Sequence, residues 1–282
     1  MKYALVTGAT SGLGREVAVA LSKKGWYVLA CGRNEDALED IKKNTDCQSI
    51  KMDVVDQKSI DEAYKEVVKV TDYLDAIINF SGIQKMSSLI EGDIDIIKQT
   101  LEVNLLGMAR VNKTFFPLVE KWNGRIINCS SECGWMTPQP FNGTYTLSKY
   151  AVEAYNDSLR RELMFVGVPV IKIQPGSFKT AMHKKTADSF DRLINSTHMY
   201  REVLEKMKGM MLIELKMANK PDALIRAVLK AANAPHPRKK YRVKNSPILS
   251  VIEIMPPTVV DALYKKFLKS EKVGRLLDKI YT

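Results

Sequence analysis

The sequence predicts an α/β protein built on a doubly wound parallel sheet, and three observations carry that prediction. Short apolar runs alternate with stretches of helical period from the first residues to about residue 175. The first run passes directly into a glycine-rich loop that opens a helix, Thr7-Gly8-Ala9-Thr10-Ser11-Gly12-Leu13-Gly14. Small polar residues then stand at the carboxyl ends of later strands, the edge at which open α/β sheets bind ligands.

Composition sets the outer limits. The chain has 282 residues and 45% apolar content, enough for one large core or two modest domains. The unbroken alternation favours one domain over residues 1–282. Cys31, Cys47, Cys129 and Cys133 show no CxxC spacing, so a reduced intracellular protein is expected, with neither a disulfide framework nor a metal site. No apolar run reaches the length of a membrane span, and a functional loop from residue 8 leaves no room for a signal peptide. The expected location is cytoplasmic. Net charge is +11, and from His236 onward eleven Lys/Arg stand against four acids. Anionic lipid or nucleic acid can use such an excess, although a solvated lysine-rich surface is the plainer account. No nucleic-acid motif or basic–aromatic platform accompanies it, so no nucleic-acid partner is expected.

Tyr3-Ala4-Leu5-Val6 forms the first strand. In the loop after it, glycines let the backbone turn tightly and approach a pyrophosphate, while the helix N-terminus offers unpaired N–H groups. The helix runs through Val17, Ala18 and Leu21 to a stop at Gly25. A second strand, Tyr27 to Cys31, leads into Gly32-Arg33-Asn34. An acid at this position hydrogen-bonds the 2′-OH of NAD, whereas an arginine accommodates the 2′-phosphate of NADP. Arg33, with no acid before Glu35, therefore points to NADP(H), with NAD(H) still open. The alternative is an arginine that only faces solvent at a helix start.

A helix from Glu35 to about Lys43 precedes the third strand, Ser49 to Val54, whose Asp53 can reach an adenine edge. Asp56 suits a helix N-cap. The fourth strand, Leu74 to Asn79, ends in Phe80-Ser81-Gly82. A long helix from about Ile94 to Leu118 carries Asn104 within an apolar stripe. A buried asparagine there needs partners, for which a backbone carbonyl and an ordered water are suited. The fifth strand, Arg125 to Cys129, delivers Ser130-Ser131 to the ligand edge.

Tyr145-Thr146-Leu147-Ser148-Lys149 follows near the start of a helix continued by Ala151, Val152, Leu159 and Leu163. Four residues apart on a helix, the Tyr145 phenol and the Lys149 ammonium share a face. A phenol titrates near pH ~10, and a neighbouring cation lowers that value, as a tyrosine acid/base needs. The sixth strand, Val168 to Gln174, ends in Pro175-Gly176-Ser177-Phe178-Lys179-Thr180.

Residues 181–218 read as a helical, methionine-rich insertion. It is either a lid over a bulky apolar alcohol or ketone, or an extra helix pair packed as ordinary core. A helix from Asp222 to Ala232, a last strand from Lys240 to Val243, and helices from Pro247 to Tyr281 broken at Pro256-Pro257 complete the chain. Ile248, Leu249, Val251, Ile252 and Ile254 beside the basic cluster can touch a membrane surface. They can equally cap the domain or an oligomer face, and capping is preferred.

Taken in order, T-G-x-x-x-G-x-G (Thr7 to Gly14), Asp53-Val54, Asn79-x-x-Gly82, Asn104, the Ser-Ser pair, Tyr145-x-x-x-Lys149 and Pro175-Gly176-x-x-x-Thr180 resemble the motif set of the short-chain dehydrogenase/reductase family. The resemblance spans residues 3 to 180. It implies a Rossmann-like doubly wound parallel sheet with a helical lid and a C-terminal helical extension. It implies that Tyr145 is the acid/base, that Ser131 hydrogen-bonds the substrate oxygen, and that Lys149 holds the nicotinamide ribose and lowers the Tyr145 pKa. Asn104 would hold a relay water. The cofactor site it implies comprises Gly8, Thr10, Ser11, Gly12, Leu13, Gly14, Arg33, Asp53, Val54, Asn79, Gly82, Tyr145, Lys149, Pro175, Gly176, Phe178 and Thr180, with Phe178 and Thr180 at the nicotinamide carboxamide.

Two departures stand out. Phe80 replaces the family's asparagine, and Ser131 lies fourteen residues before Tyr145, where twelve or thirteen is commoner. Ser130 therefore stays open as the alternate serine. Pro237-Arg238-Lys239-Lys240-Tyr241 resembles the tail of the retinol and hydroxysteroid dehydrogenase branch. The implied activity is NADP(H)-dependent interconversion of an alcohol and a ketone or aldehyde on a steroid-, retinoid- or lipid-like substrate. A homodimer or homotetramer through the helices bearing Asn104 and Tyr145 is also implied. The rival function is an NAD(P)-binding regulatory protein without turnover.

Overall fold

Successive side chains on a strand point to opposite faces of its sheet, and in this chain both sets are buried. Ala4, Val6, Val28, Ala30, Ile78, Ile127 and Ile171 enter one apolar cluster, while Leu5, Leu29, Ile77, Ile126 and Val170 enter another. Such strands require helices on both sides, which is the doubly wound arrangement. The computed structural model describes residues 1–179 and 182–270.

The strands are β1 (Lys2–Thr7), β2 (Trp26–Gly32), β3 (Gln48–Lys51), β4 (Ala76–Asn79), β5 (Arg125–Cys129), β6 (Val170–Pro175) and β7 (Lys240–Val243). They form one sheet in the order β3-β2-β1-β4-β5-β6-β7, with every described pairing parallel. The winding reverses between β1 and β4, which opens a crevice at the carboxyl ends of those strands. Helices α1 (Gly12–Ser22), α2 (Glu35–Asn44) and α9 (Asp222–Asn233) supply the first cluster. Helices α3 (Gln57–Val68), α5 (Gly107–Glu120) and α6 (Gly143–Leu163) pack on the second.

The structure corrects two boundaries. The third strand stops at Lys51, so Asp53 and Val54 lie in the turn before α3, where the Asp53 carboxylate accepts the Val55 N–H at 3.1 Å. The long helix expected over 94–118 is interrupted: α4 (Ile94–Leu101) and α5 are joined by a π-helical turn, Glu102–Leu106, centred on Asn104. Asp56 caps α3 through the Lys58 N–H.

The insertion forms α7 (Met182–Ser196) and α8 (Arg201–Lys216). Phe190, Leu193, Ile194 and Leu204 make a small core of their own, seated on Met86 and Phe141 from loops at the carboxyl edge. Met207 and Met211 join that core, whereas Met199 and Met217 are exposed. Helices α10 (Pro247–Ile252) and α11 (Pro257–Leu268) follow, separated at the two prolines. No helix among the described residues is long and apolar enough to cross a membrane.

Candidate active site

The glycine loop occupies the turn between β1 and α1. Gly8 and Gly12 both have positive φ, +69° and +54°, a region that favours glycine. A Cβ on Gly8 would stand 2.8 Å from the Phe80 backbone, and one on Gly14 would stand 2.4 Å from the Gly8 carbonyl. The turn can therefore close only with hydrogen at both positions. Ser11 occupies the N-cap of α1 but its hydroxyl makes no capping bond, and the first turn holds no acid. The amides of Leu13 and Gly14 stand in the first turn of α1 without helical partners, the kind of donor set a pyrophosphate requires. Thr10 lies under Gly32, where any Cβ would come within 2.3 Å of its methyl group.

At the next strand end Arg33 and Asp53 are brought together, Nη1 to Oδ2 at 3.5 Å, with most of the arginine side chain exposed. Val54 is buried beneath Gly107, so only its backbone remains for a ligand. Asn79 is placed differently from the implied cofactor contact. It is 2% exposed, its amide nitrogen donates to Asn112 (2.7 Å) and Asn128 (2.9 Å), and its carbonyl accepts from Thr7 (3.4 Å). Its side chain braces the sheet edge from inside. The Phe178 side chain is likewise spent in the core with Leu224, and its backbone pairs with Asn219. Pro175 ends β6, and Gly176 passes so close to Lys244 that a Cβ would meet its carbonyl at 2.1 Å. Thr180 lies outside the described residues.

Beyond the ends of β4 and β5 the reactive groups converge. Tyr145 is the third residue of α6, and Lys149 lies one turn on with Nζ 5.5 Å from the Tyr145 ring centroid. The ammonium donates to the Cys129 carbonyl at 3.0 Å. Ser131 accepts the Cys133 N–H at 3.2 Å, and its hydroxyl is the side-chain partner that lowers the pKa of the Tyr145 phenol. Ser130, by contrast, is closed in: its Oγ is buried without a partner, 2.7 Å from where a Gly134 Cβ would be. The geometry separates the two serines, and Ser131 is the one that faces the phenol.

Asn104 uses its whole amide as a brace. Its Oδ1 accepts the Ile83 N–H at 2.8 Å, and its nitrogen donates to the Ile83 carbonyl and to Ser148 Oγ, both at 2.9 Å. Ser148 in turn donates to the Tyr145 carbonyl at 2.7 Å. The expected backbone carbonyl is that of Ile83, and the π turn widens the helix where this side chain leaves it. Gly82 stands next to the brace, its Cβ position 3.3 Å from Asn104 Oδ1 and 3.9 Å from Lys149 Nζ.

Electrostatics depart from the sequence-based expectation for Tyr145. Burial pushes its phenol above the usual tyrosine range, the nearby Cys133 thiol adds to this, and the Ser131 hydrogen bond pulls the other way. Loss of hydration is the largest of these effects. Burial also lowers the Lys149 pKa. Glu132, directly after Ser131, is 5% exposed and pushed up to about 7 by burial, while its bond from the Ser246 N–H (2.7 Å) opposes the rise.

Sequence reasoning missed Ser148, Glu132 and a buried amide chain. That chain runs from Asn79 through Asn112 and Asn128 to Asn156, with the Tyr155 hydroxyl accepting from Asn112 at its edge. Polar residues interrupting otherwise apolar strand and helix faces were the available signal.

A phosphate-ready glycine loop, joined through the Phe80–Gly82 segment to a Ser–Tyr–Lys cluster, defines a nucleotide-dependent oxidoreductase of the α/β class. Residues 2–190 match the short chain dehydrogenase family, and the chain belongs to that family. It is 32% identical to the NADPH-dependent 3-dehydrocapnine reductase of Ornithobacterium rhinotracheale, over 95% of this chain and 98% of that protein. It is 34% identical to retinol dehydrogenase 16 of Mus musculus, over 96% of this chain and 90% of that one. Among solved structures, an actinorhodin polyketide ketoreductase with NADPH superposes with a TM-score of 0.73 at 24% identity, covering 86% of this chain and 95% of that one. At that identity the likeness speaks to the fold.

Proposed function

We propose that this chain interconverts an alcohol and its ketone or aldehyde with NADP(H), on a steroid-, retinoid- or lipid-like substrate. The observation that carries the reading is the Phe80–Gly82 segment, which touches Gly8 of the phosphate loop on one side and approaches Lys149 on the other. A cofactor held at the loop therefore reaches the Ser131–Tyr145 pair. The amides opening α1 would hold the pyrophosphate, Arg33 the 2′-phosphate and Lys149 the nicotinamide ribose; the bound nicotinamide supplies a hydride. Ser131 would hydrogen-bond the substrate oxygen and stabilise charge developing there. Tyr145 would deliver the proton. A phenol is protonated at neutral pH and can donate there.

The NADPH dependence and the alcohol named for the two relatives support the cofactor and the apolar substrate class, and with them the retinol and hydroxysteroid branch. The exposed apolar residues of α10 and α11, flanked by Lys265, Lys266 and Lys269, support a peripheral contact with an anionic membrane surface. Exposed Leu106 and Leu147, near Asn104 and Tyr145, support a homo-oligomer through those helices.

The test is fluorescence titration with NADPH and NADH, coupled to a cofactor-oxidation assay over ketones from small to steroid-sized. Tighter NADPH binding with turnover of large apolar ketones is expected. Tyr145→Phe should cut turnover by about 10³ while NADPH still binds, in the range of general acid catalysis. Retained turnover in that variant would remove Tyr145 from the chemistry. Tight NADPH binding without turnover of any carbonyl would instead favour the regulatory protein.

A further inference from the structure

We propose that the cavity between the loop after β4 and helix α7 is a subsite for an anionic group on the substrate, a carboxylate, phosphate or sulfonate held between Lys85 and Arg192. The inference rests on the oxidoreductase reading above and narrows its substrate to an amphiphile with an acidic end.

The cavity measures about 340 Å³. Lys85 and Ser87 from the loop after β4 and Arg192 and Ser196 from α7 line it. Lys85 donates to the Gln99 amide oxygen at 2.5 Å and Arg192 to the Ser189 hydroxyl at 2.9 Å. Neither cation has a carboxylate partner among the described residues, although neighbouring cations do: Lys98 pairs with Asp95, and Lys208 with Asp191.

Two acids also line the cavity, and hydrogen bonds already engage both. Glu91 accepts the Thr197 hydroxyl (2.6 Å) and the N–H groups of His198 (2.9 Å) and Met199 (3.1 Å). Asp93 caps α4 through the Asp95 N–H at 2.8 Å. None of the four charges is ion-paired among the described residues; the acids' oxygens are held by N–H and O–H donors, while an ammonium with three donors and a guanidinium with five each spend one on a described partner. A planar guanidinium together with an ammonium is a donor set suited to a carboxylate, phosphate or sulfonate.

Position ties the cavity to the reacting centre. The Lys85 carbonyl accepts the Thr144 hydroxyl at 2.5 Å, one residue before Tyr145, and the Ser87 N–H donates to the Phe141 carbonyl at 2.9 Å. Lys85 is three residues beyond Gly82, which approaches Lys149. Three residues span at most about 11 Å, so an anion in the cavity would sit roughly one extended ligand away from the phenol. Met86 and Leu193 in the same lining would contact the chain between the two ends. Because Arg192 rides on α7, an anion bridging it to Lys85 would also fasten the insertion over the cleft.

The experiment uses the full chain with NADPH and pairs of long-chain ketones that differ only in a terminal carboxylate or its methyl ester. The keto acid should show kcat/KM at least tenfold above its ester, carried by KM. Lys85→Gln and Arg192→Gln should each reduce the acid-to-ester ratio about tenfold, the ester serving as the internal reference for folding. Inorganic phosphate should compete with the acid and not with the ester. Equal use of acid and ester, or a ratio unmoved by both substitutions, overturns the subsite. Stimulation of ester turnover by free phosphate also overturns it, since the anion would then act as a separate activator and not as part of the substrate. If neither ketone is reduced, the oxidoreductase reading itself fails. Calorimetric titration of a fatty acid against its methyl ester, with and without Arg192→Gln, then decides the subsite independently.

Discussion

Glu132 shows how much a single position can depend on its surroundings. In sequence it is one more acid beside a serine; in the structure it is buried against the first residues of the C-terminal extension through the Ser246 N–H. Its pKa rises from 4.5 to about 7, chiefly through burial. The folded state then keeps a proton that the unfolded state gives up, so stability falls as pH rises from about 4.5 to about 7, and the full cost is present above that. At 1.36 kcal/mol per unit this amounts to at most about 3 kcal/mol. Glu132→Gln keeps an acceptor for Ser246 and removes the charge. Urea denaturation should therefore show the variant gaining stability over wild type at pH 8 and little at pH 5. An equal shift at both values would show that charge is not the cause. Ser131 and Ser130 make the same point: their identities were legible, but which one faces the phenol depended on Gly134 closing over Ser130.

At the scale of elements, strand and helix order was legible because apolar period is a local property of the chain. The exceptions are where distant contacts intervene. The apolar stripe from Ile94 to Leu118 keeps its period past Gly107 and Pro117, yet the helix opens into a π turn at Glu102–Leu106. Asn104 at its centre binds both backbone groups of Ile83, twenty-one residues away, and Ser148 on α6. Asn104→Leu would strand those groups at a cost of about 2 kcal/mol and release the loop after β4 from α6. Denaturant titration should register that loss together with a drop in turnover greater than tenfold. Full stability in the variant would mean that the brace is dispensable. The early end of β3, by contrast, has a local origin: the Asp53 carboxylate turns back onto the Val55 N–H and directs the chain into α3.

Across the whole molecule, the C-terminal extension is tied to the loop between Ser131 and Tyr145. Ser246 donates to Glu132, Thr137 donates to Glu253 at 2.9 Å, and Asn245 reaches the Gln174 carbonyl at 2.9 Å. One side of the extension thus lies on the site loop through polar contacts, while of the apolar residues expected to cap the domain Ile248, Val251 and Ile254 are exposed. Its outer side still shows Ile248, Ile254 (82% exposed) and Phe267 beside lysines. Sedimentation with anionic vesicles should carry the protein down, and Ile254→Asp should weaken that several-fold, more so in salt. Equal sedimentation with neutral vesicles, or an unaffected variant, would remove the lipid contact. The sequence by itself determined the α/β class, the glycine loop and the placing of Ser131, Tyr145 and Lys149 on their elements, because period, turn chemistry and helical spacing act between near neighbours. Only the tertiary structure decided that Asn79 is spent inside the sheet edge, that Asn104 grips Ile83, and that burial is the largest influence on the Tyr145 phenol. Those outcomes depend on desolvation and on hydrogen bonds between residues far apart in the chain.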